Sequence, residues 1–169
     1  SFIGFAGNRL DRQSETRADD AVATALANPK ARLMLMAGGR TLLKVNGESF
    51  DPHFSPDDLA RFSGDAAQAV LLGIDADGPV LALMSSTDLE ALPDGVKAID
   101  YRSINIQSLL DPERLGAMAQ GAALLAWHST HKFCGRCGAE TRMAAGGMKR
   151  ICPNCNAEHF PRTDPEIGR

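Results

Sequence analysis

Cys134-Gly135-Arg136-Cys137-Gly138-Ala139-Glu140 is answered eighteen residues later by Cys152-Pro153-Asn154-Cys155-Asn156-Ala157-Glu158. Each half is a Cys-x-x-Cys followed by a residue that readily takes the left-handed backbone conformation, Gly138 or Asn156. Such a turn aims two sulfurs at one point and faces backbone N–H groups toward them. Two turns offer four thiolates, the ligand set of a tetrahedral site with metal–sulfur distances near ~2.3 Å. Fourteen residues separate the pairs, slightly under the usual spacing of about 15 to 20. They read as a β-hairpin, with Thr141-Arg142-Met143 leading in, Gly146-Gly147 turning and Lys149-Arg150-Ile151 returning. Zinc is the expected ion, and softness and geometry leave iron open as the alternative. A redox dithiol would need only one Cys-x-x-Cys and a reactive thiol. Four cysteines leave no ligand position for water or substrate, so the metal is expected to be structural.

Outward from this segment the chain changes character. Residues 1–130 hold 11 basic and 17 acidic side chains, whereas residues 131–169 hold 7 basic and 4 acidic, giving the overall charge of −3. All four cysteines lie in the second part, which speaks for a local staple in a reducing compartment rather than a secreted disulfide framework. The boundary falls near Thr130. The expected organisation is a mixed α+β domain over 1–130, a four-cysteine ribbon over 131–163, and the start of a linker over 164–169. Four thiolates on a divalent ion carry a net charge of about −2, which Arg136, Arg142, Lys149 and Arg150 can offset. The same basic excess can instead serve as a nucleic-acid patch. The longest apolar stretch in the C-terminal third, residues 122–127, is far below the roughly 20 residues that cross a bilayer.

The first part mixes helix and strand. Residues 19–27 read as a short Ala-rich helix stopped by Asn28-Pro29. Residues 31–37 and 41–45 read as two strands joined by Gly38-Gly39, and Asn46-Gly47 is a further turn. Ser55-Pro56-Asp57-Asp58 reads as a helix start with Ser55 as cap, cut short by Ser63-Gly64. Residues 69–74 and 79–84 flank the clearest hairpin, with Asp77-Gly78 supplying the positive backbone angle. A helix is expected from Pro112 to about His128, capped by Asp111. Leu115, Met118, Ala119, Ala122, Leu125 and Ala126 form its apolar stripe. Gly116 and Gly121 each cost about 1 kcal/mol there, which points to close packing, with simple tolerance as the alternative. The helix is expected to carry the cysteine segment as a rigid arm.

Other chemistry is sparse. His128, His131 and His159 flank the cysteines and read as helix-end, packing or surface residues, because the ligand set is already full. His53 has no nearby nucleophile, and Trp127 reads as a packing anchor between helix and ribbon. Asp19-Asp20 and Asp57-Asp58 sit where helix starts favour negative charge. No phosphate-cradling glycine loop and no nucleophile elbow occurs.

Trp127-His128-x-x-His131-x-Phe133-Cys134-x-x-Cys137-Gly138, Gly146-Gly147, Cys152-x-x-Cys155 and His159-Phe160-Pro161-Arg162-Thr163-Asp164-Pro165 together resemble the bacterial NADH pyrophosphatases of the Nudix hydrolase superfamily. Residues 5–12 resemble the start of that family's first domain. The resemblance implies an N-terminal α+β domain, a zinc ribbon holding structural Zn2+ on Cys134, Cys137, Cys152 and Cys155, and then a catalytic Nudix domain. It further implies a cytoplasmic, dimeric enzyme that cleaves NAD(H) to NMN(H) and AMP and can remove an NAD cap from RNA, using Mg2+ or Mn2+. It assigns Phe160 to the substrate's ring in the assembled dimer, with a ribbon-core or interdomain place as the alternative. The chain ends at Arg169 and contains no Glu-Glu or Arg-Glu pair, although a Nudix box needs clustered glutamates for its metals. The expectation is the non-catalytic front of such an enzyme, a scaffold and dimerisation module without hydrolase activity of its own. A ribbon that binds nucleic acid or protein is the second reading, and a purely structural protein is the third.

Overall fold

A near-continuous apolar run is the composition of a strand covered on both faces, and two such runs meet at the centre of this molecule. The structure, a computed structural model, describes residues 21–161. The readings placed on residues 5–12, on Asp19-Asp20 and on residues 162–169 lie outside them. Strand β1 (Arg32–Ala37) lies parallel to β5 (Gly78–Met84), with Arg32 opposite Val80 and Met36 opposite Met84. Antiparallel β4 (Val70–Asp75) pairs with β5. Strand β2 (Arg40–Asn46) meets β1 at Thr41 and Arg40, then β3 (Ser49–Asp51) from Lys44 onward. Strand β6 (Val96–Asp100) runs antiparallel along the other edge of β2.

Alternation along these strands sends side chains to two cores. Leu33, Leu35, Leu42, Leu71, Leu81 and Leu83 face α1 (Ala21–Ala27), Phe54 and Phe62. Their neighbours Met34, Met36, Leu43, Val70, Leu72, Val80 and Ala82 face α3 (Tyr101–Ile106) and α4 (Pro112–Thr130). The sheet is thus sandwiched between helices, and the α+β class, with antiparallel strands and a helix leading to the cysteines, is what the structure shows.

In the turn of the β4–β5 hairpin the expected positive angle is present, at Gly78 (φ +114°), where a Cβ would stand 2.9 Å from Lys30 Cβ. Other local readings need correction. Helix α2 (Asp58–Arg61) starts later than the Ser55 reading placed it. The Ser55 N–H and hydroxyl both bond the Asp58 carboxylate, at 3.1 and 3.3 Å, so Ser55 is not a side-chain acceptor for the helix. Asp111 does cap α4, accepting the Arg114 N–H at 2.8 Å, and α4 continues to Thr130. Its buried face is Ala117, Met118, Gly121, Leu124, Leu125 and His128, whereas Ala122 and Ala126 are exposed. Alanine is common all round this helix, so periodicity could not separate two adjacent stripes. Gly121 separates them, because a Cβ there would lie 2.8 Å from Ala82 Cβ. Close packing at Gly121 was the correct reading. Strand β6 and helix α3 carry no pattern that the sequence reading detected.

The C-terminal segment is not a free arm. Strands β7 (Arg142–Ala144), β8 (Lys149–Ile151) and β9 (Glu158–His159) form a second sheet in that order. Its hairpin turn, residues 145–147, wedges against the body. Met143 and Met148 pack on the α4-side core, and a Cβ on Gly147 would stand 2.5 Å from Val70 Cγ1. The tight turn reaches the body because glycine has no side chain there.

Candidate metal centre

The two knuckles repeat one backbone pattern. In the first, Gly138 N–H donates to Cys134 O at 2.8 Å and Cys134 N–H to Ala139 O at 2.7 Å; in the second, Asn156 N–H donates to Cys152 O at 2.8 Å and Cys152 N–H to Ala157 O at 2.9 Å. Gly138 (φ +82°) and Asn156 (φ +62°) take the left-handed conformation expected of them. Closed this way, the knuckles bring all four Sγ atoms within 4.8 Å of one another. Two separations that cross between knuckles are 3.4 Å for Cys137–Cys152 and 3.7 Å for Cys134–Cys155. Bonds of ~2.3 Å in a tetrahedron give sulfur–sulfur edges of about 3.8 Å, and a disulfide would need about 2.05 Å. All four cysteines are free, and their spacing fits one soft four-coordinate cation.

The thiols make the same point electrostatically. Backbone N–H bonding within the first knuckle, with help from His159, holds the Cys134 thiol down at about 6. The Asn154 amide, first among several donors, lowers Cys137. At Cys155 the largest single influence, the Ala157 N–H, pulls downward, but burial and bonds to Cys152, Cys137 and Cys134 together push it up to about 11. Four sulfurs this close cannot all ionise against one another, and a divalent cation removes the conflict. Donors around the set are in place to orient the sulfurs. Arg136 N–H lies 3.3 Å from Cys134 Sγ, His159 Nε2 3.4 Å from the same sulfur, and Asn154 Nδ2 3.5 Å from Cys137 Sγ.

The histidines lie outside the four-sulfur group. His131 stacks on Trp127, with ring centroids 4.8 Å apart. His128 is buried between body and ribbon: its Nε2 donates to Gly147 O at 2.7 Å, and its bare Nδ1 accepts from Arg150 Nη1 at 3.1 Å. Burial first, then Arg150, lowers its pKa against the Gly147 bond. His53 is far along the chain, its ring half-buried beside Asp51.

Two of the four cations expected to balance the sulfurs serve elsewhere. Arg150 turns inward and bonds the Thr141 hydroxyl and carbonyl at 2.8 and 2.9 Å, and Lys149 pairs with Glu158. Arg136 and Arg142 remain exposed. Phe133 and Phe160 are 66% and 63% exposed, so Phe160 is not a ribbon-core residue among the described residues. The His128–Arg150–Thr141 bracket escaped the sequence reading; the only signal for it was a basic residue placed opposite a helix-end histidine.

A helix-flanked mixed sheet with a four-sulfur ribbon docked on its α4 side defines a zinc-ribbon protein with an α+β body. Two family models match successive parts of it: an NADH pyrophosphatase-like rudimentary NUDIX domain over residues 30–127, and an NADH pyrophosphatase zinc ribbon domain over residues 129–160. The first covers more than half of the chain, and the chain belongs to the family of NADH pyrophosphatase-like rudimentary NUDIX domains. The zinc-ribbon match and the four-cysteine cluster together support structural zinc. Among similar proteins, the NAD-capped RNA hydrolase NUDT12 of Homo sapiens is 41% identical over 66 residues, 34% of this chain and 14% of that protein. The mitochondrial NAD(P)H pyrophosphatase NUDT13 of Homo sapiens is 31% identical over 97 residues, 57% of this chain and 27% of that protein. The NAD-capped RNA hydrolase NudC of Deinococcus radiodurans is 29% identical over 142 residues, 83% of this chain and 45% of that protein. The chain thus spans less than half the length of these relatives.

Proposed function

We propose that this chain supplies the scaffold of a cytoplasmic, homodimeric NAD(H) pyrophosphatase, with Zn2+ held on Cys134, Cys137, Cys152 and Cys155 as a structural ion. The observation that carries this reading is the four-sulfur set. It fills a tetrahedron with protein ligands and leaves no coordination site for substrate. Among the described residues it is also the only group of three or more His, Cys, Asp or Glu side chains placed to share a metal ion. Hydrolysis of a pyrophosphate by Nudix chemistry needs Mg2+ or Mn2+ on clustered carboxylates, and we assign that step to a catalytic domain outside residues 1–169. The NAD(H)- and NAD-cap-hydrolysing names of the relatives support NAD(H), free or as an RNA cap, as the substrate of the assembled enzyme. Exposed Phe160 is then available to pack on the substrate's ring in the dimer. The test is a hydrolysis assay of the purified chain with NADH and Mn2+, run beside light scattering and zinc analysis. One zinc per chain, a dimer and no NMNH are expected; appreciable NMNH release would overturn the scaffold reading.

A second reading, RNA contact by the ribbon, is favoured by exposed Phe133 and Phe160 with Lys132, Arg136 and Arg142 nearby in sequence. Aromatic stacking beside cations is how single strands are held. Salt-sensitive RNA binding that disappears in Arg142→Ala would support it, and binding that ignores both salt and this change would remove it.

A further inference from the structure

Among the described residues, the ring of His128 bonds only to the ribbon, although the side chain belongs to helix α4 of the body. It is 4% exposed. Its Nε2 lies 2.7 Å from Gly147 O and its Nδ1 3.1 Å from Arg150 Nη1. A carbonyl only accepts and a guanidinium only donates, so a neutral ring with its proton on Nε2 is the one form that makes both bonds. A proton on Nδ1 would set one N–H against another and bring two cations together away from bulk water.

Protons can nevertheless reach the ring, because His128 lines an open cleft of about 390 Å3 between body and ribbon. Around the ring stand His131 from the end of its own helix, Lys132, Glu140 and Arg150 from the ribbon, and Asp65 from the body. Arg150 and His131 oppose a positive ring, whereas Glu140 favours the charge on Arg150 and so keeps that donor in place. Both ring nitrogens are already bonded, which leaves neither of them for Asp65 or Glu140. The docked arrangement therefore cannot accept a proton at Nδ1 without breaking the Arg150 contact.

We propose that His128 is a proton-operated latch: its neutral ring holds the ribbon on the body, and protonation at Nδ1 releases the ribbon as an intact zinc-bound unit. The knuckles take no part in the latch, since their backbone bonds and sulfurs lie within residues 134–157. What lets go is the contact of Gly147 and Met148 with the body. Burial, with Arg150 adding to it against the Gly147 bond, lowers the docked ring's pKa below its ordinary 6.5. The released form therefore binds the proton first. The latch is fully closed above about pH 6.5 and weakens by up to about tenfold per pH unit below it, until the docked ring itself titrates. The latch stands apart from the pyrophosphatase reading.

Methyl relaxation dispersion on Val70 and Met148 of the zinc-loaded chain, from about pH 7.5 down to 5.5, reads the released fraction. In the wild type it should rise severalfold, up to about tenfold, over that range while zinc stays bound. His128→Gln puts a neutral donor and acceptor in the same place and cannot take up the proton, so its released fraction should stay flat. Arg150→Met removes the donor that faces Nδ1 and should make the rise smaller. A flat wild-type profile, a rise undiminished in both variants, or a rise that follows loss of zinc would each overturn the proposal.

Discussion

The body and the ribbon are held together by different physics. Between residues 30 and 127, two apolar cores on opposite faces of one sheet bury leucines, methionines and valines almost completely. Each such side chain contributes about 1.5–3 kcal/mol by leaving water. In the ribbon, the buried positions are Cys134, Thr141, Ala144, Gly146, Gly147, Arg150 and Cys152, which are small, polar or sulfur-bearing. So short a segment cannot build a sufficient core, and its thiols supply the staple instead. The two regimes meet at Met143, Met148, Gly147 and His128, where the ribbon's turn leans on the body. The body is therefore expected to feel the metal without depending on it.

The largest expected effect breaks the ribbon. Cys152→Ser should release zinc and unfold residues 131–161, because structural zinc contributes roughly 10 kcal/mol or more of apparent binding energy in such units. The body should stay folded but melt several degrees lower, having lost the packing of Met143 and Met148. Zinc analysis with circular dichroism checks this; unchanged zinc and an unchanged melting curve would contradict the metal assignment. Gly147→Ala strikes the contact instead of the metal. A methyl must enter 2.5 Å from Val70 Cγ1 at a backbone angle of +97°, at a cost of about 3 kcal/mol from strain and overpacking. Urea unfolding should show that loss while zinc content stays near one per chain.

A pH series separates the regions further. Burial, with Arg32 next, lowers the His53 pKa to about 4 against an ordinary 6.5. The unfolded chain therefore binds the proton first as pH falls. Stability contributed by neutral His53 is complete above pH 6.5 and is lost as pH drops toward 4, by about 2 kcal/mol at pH 4.5. His128 shifts in the same direction. In His53→Gln the urea midpoint should depend less on pH across that window, and an unchanged slope would discount this histidine. Smallest of all, Lys149→Ala removes an ion pair whose side chains are 27% and 44% exposed. It should cost about 0.5 kcal/mol or less, which a double-mutant cycle with Glu158→Ala would measure.

What could be read in advance followed from how local each signal is. The knuckles, the Asp111 cap and the β4–β5 hairpin are set by residues a few positions apart, and the structure contains all three. The parallel pairing of β1 with β5 joins segments more than forty residues apart, and no turn chemistry announces it. Strand β6 has no glycine-marked partner, since it returns to β2 from across the chain. The stripe on α4 was displaced because alanine satisfies several faces at once, and the bracket of Arg150, Thr141 and His128 forms only when the ribbon lies down on the helix.

The sequence by itself determined that four sulfurs would converge on one point, because cysteine spacing and a left-handed residue after each pair act within a single turn of chain. Tertiary structure alone decided where that unit rests, which face of α4 is covered, and that a buried arginine borders an open cleft. Those outcomes depend on shape and solvent exclusion between distant segments, which no local pattern encodes.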